Sequence, residues 1–279
     1  MITLRPVGGL CNRLRAISTM IELCFEIKQD LEICWQNNDE LNADFGDLFV
    51  PIQYKDINIS FIKSGQHDLK FSDRQMNYLR QKTYNRLLKI YQYFHFDKVL
   101  HTSDTLKLLK AGNDFKFLEN YKNPYIVSWS KFSSKGVRKD FFQPIPKVQR
   151  LIDKQTKNFN KHTIGLHIRR ADHATAIKES PLEMFIDKME ENIDKNQETN
   201  FFLATDSSDV KQKLNQKFGK KIITQNEKDA DRGSKNGMEE AVVDLFALAS
   251  TKQIYGSSSS SFAITAAEFN NVPYSELKV

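Results

Sequence analysis

Four clusters in this sequence carry side chains able to hold an anion or move a proton. They are Gly8-Gly9-Leu10-Cys11-Asn12-Arg13, His167-Ile168-Arg169-Arg170-Ala171-Asp172, Thr205-Asp206 and the run from Gly256 to Ser261. Adjacent arginines offer guanidinium forks that match phosphate oxygens bidentately and keep their charge when buried. A turn of small residues entering a helix lets backbone N–H groups reach a phosphate, with serine hydroxyls as further donors. Each cluster also has a plainer reading on its own: arginines in surface salt bridges, a flexible serine loop ending in an ordinary Ser cap, a pair of glycines that only turns the chain tightly. Position decides between them, because all four follow segments that read as strands, and α/β sheets bind ligands beyond the carboxyl ends of their strands.

Other chemistries lack their residues. There is no G-x-x-x-x-G-K-[ST] phosphate loop, the Gly8 turn lacks the G-x-G-x-x-G spacing, and no G-x-S-x-G elbow is present. His67, His95, His101, His162 and His173 show neither H-x-x-x-H nor H-E-x-x-H spacing, which removes the zinc-hydrolase reading. Asp229-Ala230-Asp231 has the form of a metal-binding D-x-D, but it follows the polar run Gln225-Asn226-Glu227-Lys228 and reads as a solvated loop. The three cysteines, Cys11, Cys24 and Cys34, are odd in number and lack a C-x-x-C spacing, so they read as reduced, packed thiols.

The elements that must position these clusters are legible at both ends of the chain. Ile2 to Arg5 reads as a strand, Pro6 to Gly9 as a turn and Asn12 to Lys28 as a helix, with Leu14, Ile17, Ile21, Cys24 and Phe25 recurring at three- and four-residue steps. A strand at Leu31 to Trp35 completes a βαβ unit and implies parallel pairing. Further on, Asp73 to Phe94 reads as one or two helices, Asp104 to Lys110 as another and Tyr125 to Trp129 as a buried strand. The polar, proline-punctuated stretch from Ser133 to Pro146 reads as an interdomain linker. Beyond it, strands at Thr163 to Ile168, Asn200 to Ala204, Lys221 to Thr224 and Gln253 to Tyr255 alternate with helices at about 147–159, Pro181 to Asp194, Ser207 to Phe218, Met238 to Ser250 and Ser259 to Phe269. Four strands in this rhythm indicate a second doubly wound domain. Ile164, Leu166 and Ile168 alternate with Gly165, His167 and Arg169, so the strand delivers its arginines to its carboxyl end.

Size and composition agree. At 279 residues the chain has room for about two domains, with expected bounds 1–145 and 146–279. Its 40% hydrophobic and 27% charged residues and a mean hydropathy of -0.53 fit a soluble globular protein. The N-terminus carries no signal-peptide pattern, and no stretch approaches the roughly 20 apolar residues of a membrane span, so a cytoplasmic location is expected. The net charge of +6 invites a polyanionic partner. Lysines scattered along helical stretches such as Lys211 to Lys221, without interleaved aromatics or an RRM, KH or zinc-finger pattern, argue against nucleic acid. These readings describe a two-lobed α/β protein holding a diphosphate by arginines, serines and backbone amides: a nucleotide-sugar transferase that needs no metal.

In order and spacing, the clusters at 8–13, 167–172 and 204–206, with Asp244 followed by Ser257 to Ser261, resemble the fucosyltransferase superfamily of core α1,6-fucosyltransferases, nodulation fucosyltransferases and protein O-fucosyltransferases. The H-x-R-R-x-D element is the most specific of them, and residues 36–140 carry no matching motif. The resemblance implies a GT-B-like fold, two Rossmann-like domains facing across a cleft, with the acceptor on the N-terminal side and GDP-fucose bound mainly by the C-terminal domain. It implies a metal-independent inverting reaction with no cofactor. His167 and Asp244 would then lie near the guanine, Arg169 and Arg170 near the diphosphate and Asp206 near the base or ribose. Ser258, Ser259 and Ser260 would line the phosphate turn, and Gly8, Gly9 and Asn12 would face the donor. Inversion also needs a carboxylate to take the acceptor's proton; Asp172 and Glu179 are the nearest candidates, although Asp172 equally suits a structural partner of an arginine. The implied acceptor is a glycan or lipid-linked glycan of a bacterial-type surface polysaccharide or lipopolysaccharide, reached from the cytoplasmic side with peripheral contact at the inner membrane face. The rivals are a transferase using another GDP- or UDP-sugar, a nucleotide-sugar-binding protein without turnover, and a nucleic-acid binder explained by charge.

Overall fold

The computed structural model describes residues 1–38, 40–63, 78–170, 174–225 and 233–279. The chain forms two units, one of Met1–Gln143 with Arg232–Lys235 and one of Pro144–Asp231 with Asn236–Val279.

In the first unit, strands β1 (Ile2–Pro6), β2 (Leu31–Trp35), β3 (Ile59–Lys63), β4 (Lys98–Leu100) and β5 (Pro124–Ser128) form a parallel sheet in the order β3-β2-β1-β5-β4. Ile2, Leu4, Leu31, Ile33, Tyr125 and Ile126 fill it, each fully buried. Helix α1 (Leu10–Glu26) follows β1 directly; of the periodic residues read from the sequence, Leu14, Ile17, Ile21 and Cys24 are buried and Phe25 is half-buried, and Leu10 extends the stripe. Helices α2 (Phe45–Leu48), α3 (Tyr78–His95) and α4 (Thr102–Lys110) complete this unit. Cys11, Cys24 and Cys34 are free thiols in its interior.

The second unit runs α5 (Pro146–Thr156), β6 (Ile164–Ile168), α6 (Ala174–Glu179), α7 (Leu182–Lys195), β7 (Phe201–Thr205), α8 (Ser208–Phe218), β8 (Ile222–Ile223), α9 (Lys235–Ala249), β9 (Gln253–Ser257), α10 (Ser261–Asn270) and β10 (Tyr274–Leu277). Its sheet is also parallel, in the order β10-β9-β6-β7-β8. Ile164, Leu166, Ile168, Phe185, Met189, Phe201 and Leu203 build its core.

Two expectations change. The second sheet has a fifth strand, β10, which the sequence hides because only Leu277 of its four residues is buried. The stretch read as a linker packs onto the first unit instead. Phe132, Val137, Phe141 and Phe142 are buried, the Phe132 N–H donates to Thr19 Oγ1 at 2.9 Å, and the Arg138 N–H donates to Ser18 Oγ at 3.0 Å. The boundary falls at Gln143/Pro144.

Candidate active site

In the second unit β6 and β9 are neighbours, but β6 leads on to β7 on one side and β9 to β10 on the other. Such a switch point opens a crevice at the carboxyl ends of the strands, and of the predicted residues His167, Arg169, Arg170, Glu179, Asp206, Ser258 and Ser260 are joined by contacts around it. The Arg170 N–H donates to Asp206 Oδ1 at 2.7 Å, which ties the tip of β6 to that of β7. The Arg169 N–H donates to Ser257 Oγ at 3.2 Å, which ties β6 to β9. The Arg170 guanidinium donates to the Arg169 and Ser180 carbonyls, each at 2.8 Å. Two of its five N–H groups therefore fix its direction. It is half-buried, and desolvation lowers its pKa against the opposing influence of Asp206 and Glu183.

The turn after β9 is built almost without slack. Gly256 has no room for a side chain, because a Cβ there would lie 2.8 Å from Ala263 Cβ and 2.9 Å from Tyr274 Cε2. Ser260 caps α10 by accepting the Ala263 N–H at 3.1 Å, and its Oγ lies 2.9 Å from His167 Nδ1. The His167 ring stacks on Phe262 at 4.9 Å between centroids. The Ser258 hydroxyl donates to Glu179 Oε2 at 2.6 Å and its N–H to Ser180 Oγ at 2.8 Å. The Ser259 N–H donates to Glu276 Oε1 at 2.6 Å, in a left-handed backbone (φ 56°), and this bond is the main cause of the lowered Glu276 pKa. The protein's own oxygens thus hold the amides of Ser258 and Ser259. At the start of α10, the amides of Ser261 and Phe262 have no acceptor among the described residues. Ser258 and Ser260 are buried, and Ser259 is exposed.

Asp244, on α9, belongs to a second cluster. Gln225 Nε2 donates to Asp244 Oδ1 at 2.6 Å and to the Glu240 carbonyl at 2.9 Å. Burial raises the Asp244 pKa to about 7, opposed by the Gln225 hydrogen bond and Lys211 and reinforced by Glu240. Asp172, His173, Asp229 and Asp231 lie outside the described residues. Among those described, no group of three or more His, Cys, Asp or Glu could hold a metal ion, and no helix is long and apolar enough to cross a membrane.

The turn after β1 in the first unit rests on a residue that the first cluster contains but to which the sequence assigned no role of its own. Arg13 is fully buried. Its Nε donates to the Gly8 carbonyl at 2.7 Å, its Nη1 to the Gln36 carbonyl and its Nη2 to Asn38 Oδ1 at 2.8 Å, with the guanidinium 5.1 Å from the centre of the Trp35 ring. Burial lowers its pKa to about 10 against the attraction of Glu40. Glu40 Oε2 in turn accepts the Gly8 N–H at 2.9 Å. Gly8 has φ 84°, and a Cβ there would meet Asn12 Nδ2 at 3.0 Å, so the predicted Gly8 and Asn12 touch. Gly9 caps α1 in extended backbone without a side chain. The signal for Arg13 was present: three residues after Leu10, four before Ile17 and seven before Met20, it falls inside the buried arc of α1. Ser180, Gln225 and Glu276 carried no such signal, since each acts through a contact distant in sequence.

No family model matches the sequence, and no curated protein does. Solved structures do match, along nearly the whole chain. The NodZ alpha-1,6-fucosyltransferase soaked with GDP-fucose aligns with a TM-score of 0.61 at 15% identity, over 96% of this chain and 92% of that one. The same enzyme from Bradyrhizobium gives 0.61 at 14%, over 95% and 92%. POFUT1 in complex with GDP gives 0.59 at 12%, over 100% and 98%. The chain shares the fold of these fucosyltransferases. A variant of Arabidopsis thaliana FUT1 in complex with GDP also aligns, with a TM-score of 0.62 at 12% identity, over 99% of this chain and 69% of that one. Two parallel five-stranded sheets are consistent with the two Rossmann-like domains of the GT-B class.

Proposed function

We propose that this protein is an inverting glycosyltransferase that transfers L-fucose from GDP-fucose to a glycan acceptor without a metal ion. The observation that carries the reading is the Arg170 guanidinium fixed on the Arg169 and Ser180 carbonyls at the carboxyl end of β6, with Asp206 on its backbone N–H. The similarity in fold to fucosyltransferases crystallised with GDP or GDP-fucose supports the choice of donor.

In such a transfer an acceptor oxygen forms a bond to the anomeric carbon while the bond from that carbon to the diphosphate oxygen breaks. The electron pair leaves with the diphosphate, where negative charge accumulates. Arg170 and the Ser261 and Phe262 amides are donors already oriented, so they stabilise that charge without reorganising. An arginine also supplies positive charge where other transferases use a divalent ion. Arg169, His167 and Ser260 complete the diphosphate and base side, and Asp206 and Asp244 supply carboxylates for the ribose and the guanine N–H groups. The acceptor proton passes to a carboxylate. Glu179 fits that role, because the Ser258 hydroxyl holds its Oε2 beside the serine turn; Asp172 is the other candidate. The first unit takes the acceptor, a surface glycan or its lipid-linked precursor.

Calorimetric titration of GDP, UDP, ADP and GDP-fucose, with EDTA present, into wild type and Arg170→Ala tests the donor site. Selective GDP binding that survives chelation and weakens by about a hundredfold or more in the variant is the expected result. A preference for UDP would move the reading to another nucleotide sugar. Folded protein that binds no nucleotide would overturn it.

A further inference from the structure

Helix α3 turns its apolar residues in an unusual direction. It anchors to its unit through Leu88, Gln92 and Phe96, which are all buried and follow one another at four-residue steps, and the Phe96 ring lies 4.7 Å from Tyr125. At about 100° per residue, the opposite side carries Leu87, Ile90 and Phe94. These are 52%, 48% and 77% exposed, and Tyr93 beside them is 79% exposed. Together they make up four of the nine exposed large apolar side chains among the described residues, gathered within about two turns of one helix. Lys82, Arg86 and Lys89 are exposed too, and by the same rotation they occupy one flank of the apolar stripe with Tyr93 among them. Residues 78–95 contain no aspartate or glutamate.

We infer that α3 docks the protein onto an anionic membrane surface, lying in the interface with Leu87, Ile90 and Phe94 inserted among the acyl chains and Lys82, Arg86 and Lys89 on the lipid phosphates. An apolar stripe bordered by cations is the pattern of a helix that lies in a bilayer surface. Tyr93 suits the headgroup level, where an aromatic body with a polar tip is stable. The charge chooses the lipid: cations without an acidic neighbour on the helix gain from anionic headgroups and nothing from neutral ones. This placement extends the proposed transfer to a lipid-linked acceptor, but it is measured without donor or acceptor, so its failure leaves the donor site untouched.

The experiment is co-sedimentation of the full chain with vesicles of phosphatidylglycerol and phosphatidylcholine, and with phosphatidylcholine alone. Wild type is expected to bind the anionic vesicles, with affinity falling as salt is added. The combined Lys82→Gln, Arg86→Gln, Lys89→Gln variant is expected to bind roughly a hundredfold more weakly, from about fivefold per cation. Leu87→Ser, Ile90→Ser, Phe94→Ser is expected to lose at least about tenfold. A Phe94→Trp variant, which keeps the stripe intact, is expected to shift its emission to the blue on anionic vesicles. The inference is overturned if wild type does not bind, if it binds both vesicle types equally, or if both combined variants bind as wild type does. Concentration-dependent self-association that the apolar variant abolishes, without vesicle binding, would overturn it by giving the stripe to a second copy of the chain.

Discussion

The turns after β1 and β6 occupy equivalent places, each following the strand at which the strand order of its sheet reverses, and each is held by an arginine bonded to backbone carbonyls. The two cations are spent differently. Arg13 is sealed inside the first unit, and its nitrogens reach Gly8, Gln36 and Asn38. Arg170 stays half-exposed and commits its guanidinium to two carbonyls, while its backbone N–H takes Asp206. A sealed guanidinium shapes a loop, whereas a half-exposed one held at a strand end suits the external anion of the proposed function. Topology supplies the place, and burial decides the task.

The comparison breaks most readily at Arg13. Its replacement by Ala leaves the Gly8 and Gln36 carbonyls without their charged donor and Glu40 without a neighbouring cation, and it opens a space beneath Trp35. A loss of about 3–5 kcal/mol in denaturant unfolding is expected. Hydrogen exchange gives the location: protection is expected to fall in β1, the start of α1 and residues 36–41 while β6, β7 and β9 keep theirs. If instead Arg13→Ala stays stable and loses GDP affinity, the assignment of Arg13 to structure fails.

The sequence showed unevenly what holds these turns. β7 was legible as a continuous apolar run, β6 by apolar residues alternating along it, and α1 because its stripe has helical period. The H-x-R-R-x-D and serine clusters were legible because polar residues directly after an apolar strand stand out. Glu276 was not, since it lies on the half-polar edge strand β10 and meets Ser259 only through the parallel pairing of β10 with β9. Composition misled at 133–143, where Ser, Lys and Gly surround Val137, Phe141 and Phe142, which fix the segment to the first unit. Arg13 stands in the first cluster, but the sequence assigned it no role, although its helical spacing with Leu10 and Ile17 puts it in the buried arc of α1.

A smaller effect tests whether the turns tolerate bulk equally. Gly256→Ala pushes a methyl group into Ala263 and Tyr274 and is expected to cost about 1–3 kcal/mol, with exchange protection lost in β9, β10 and the start of α10. Gly9→Ala, where a Cβ meets nothing within 4 Å, is the matching control in the first unit and is expected to stay within about 0.5 kcal/mol of wild type. Equal tolerance at both positions would mean that the serine turn is looser than its contacts indicate.

The smallest effect, at Asp244, separates stability from binding within the second unit. The carboxyl keeps its proton up to about 7 in the folded chain, against an ordinary value of 3.8. Between those pH values the folded state therefore binds more protons than the unfolded one, and Asp244 makes the protein less stable as pH rises through the window. Asp244→Asn is expected to flatten that slope in denaturant midpoints measured from pH 5 to 8. Guanine recognition adds a second signature. If the ionised carboxylate accepts the guanine N–H groups, GDP binding must remove this proton, and affinity should rise by up to about tenfold per pH unit below 7 and then level off. The second ionisation of the terminal phosphate, near about 6, contributes its own slope, but UDP shares it, so the ratio of GDP to UDP affinity isolates Asp244. A ratio that climbs with pH in wild type and stays flat in Asp244→Asn places the residue at the base. A flat ratio in both, with only the stability slope changed, confines it to holding Gln225.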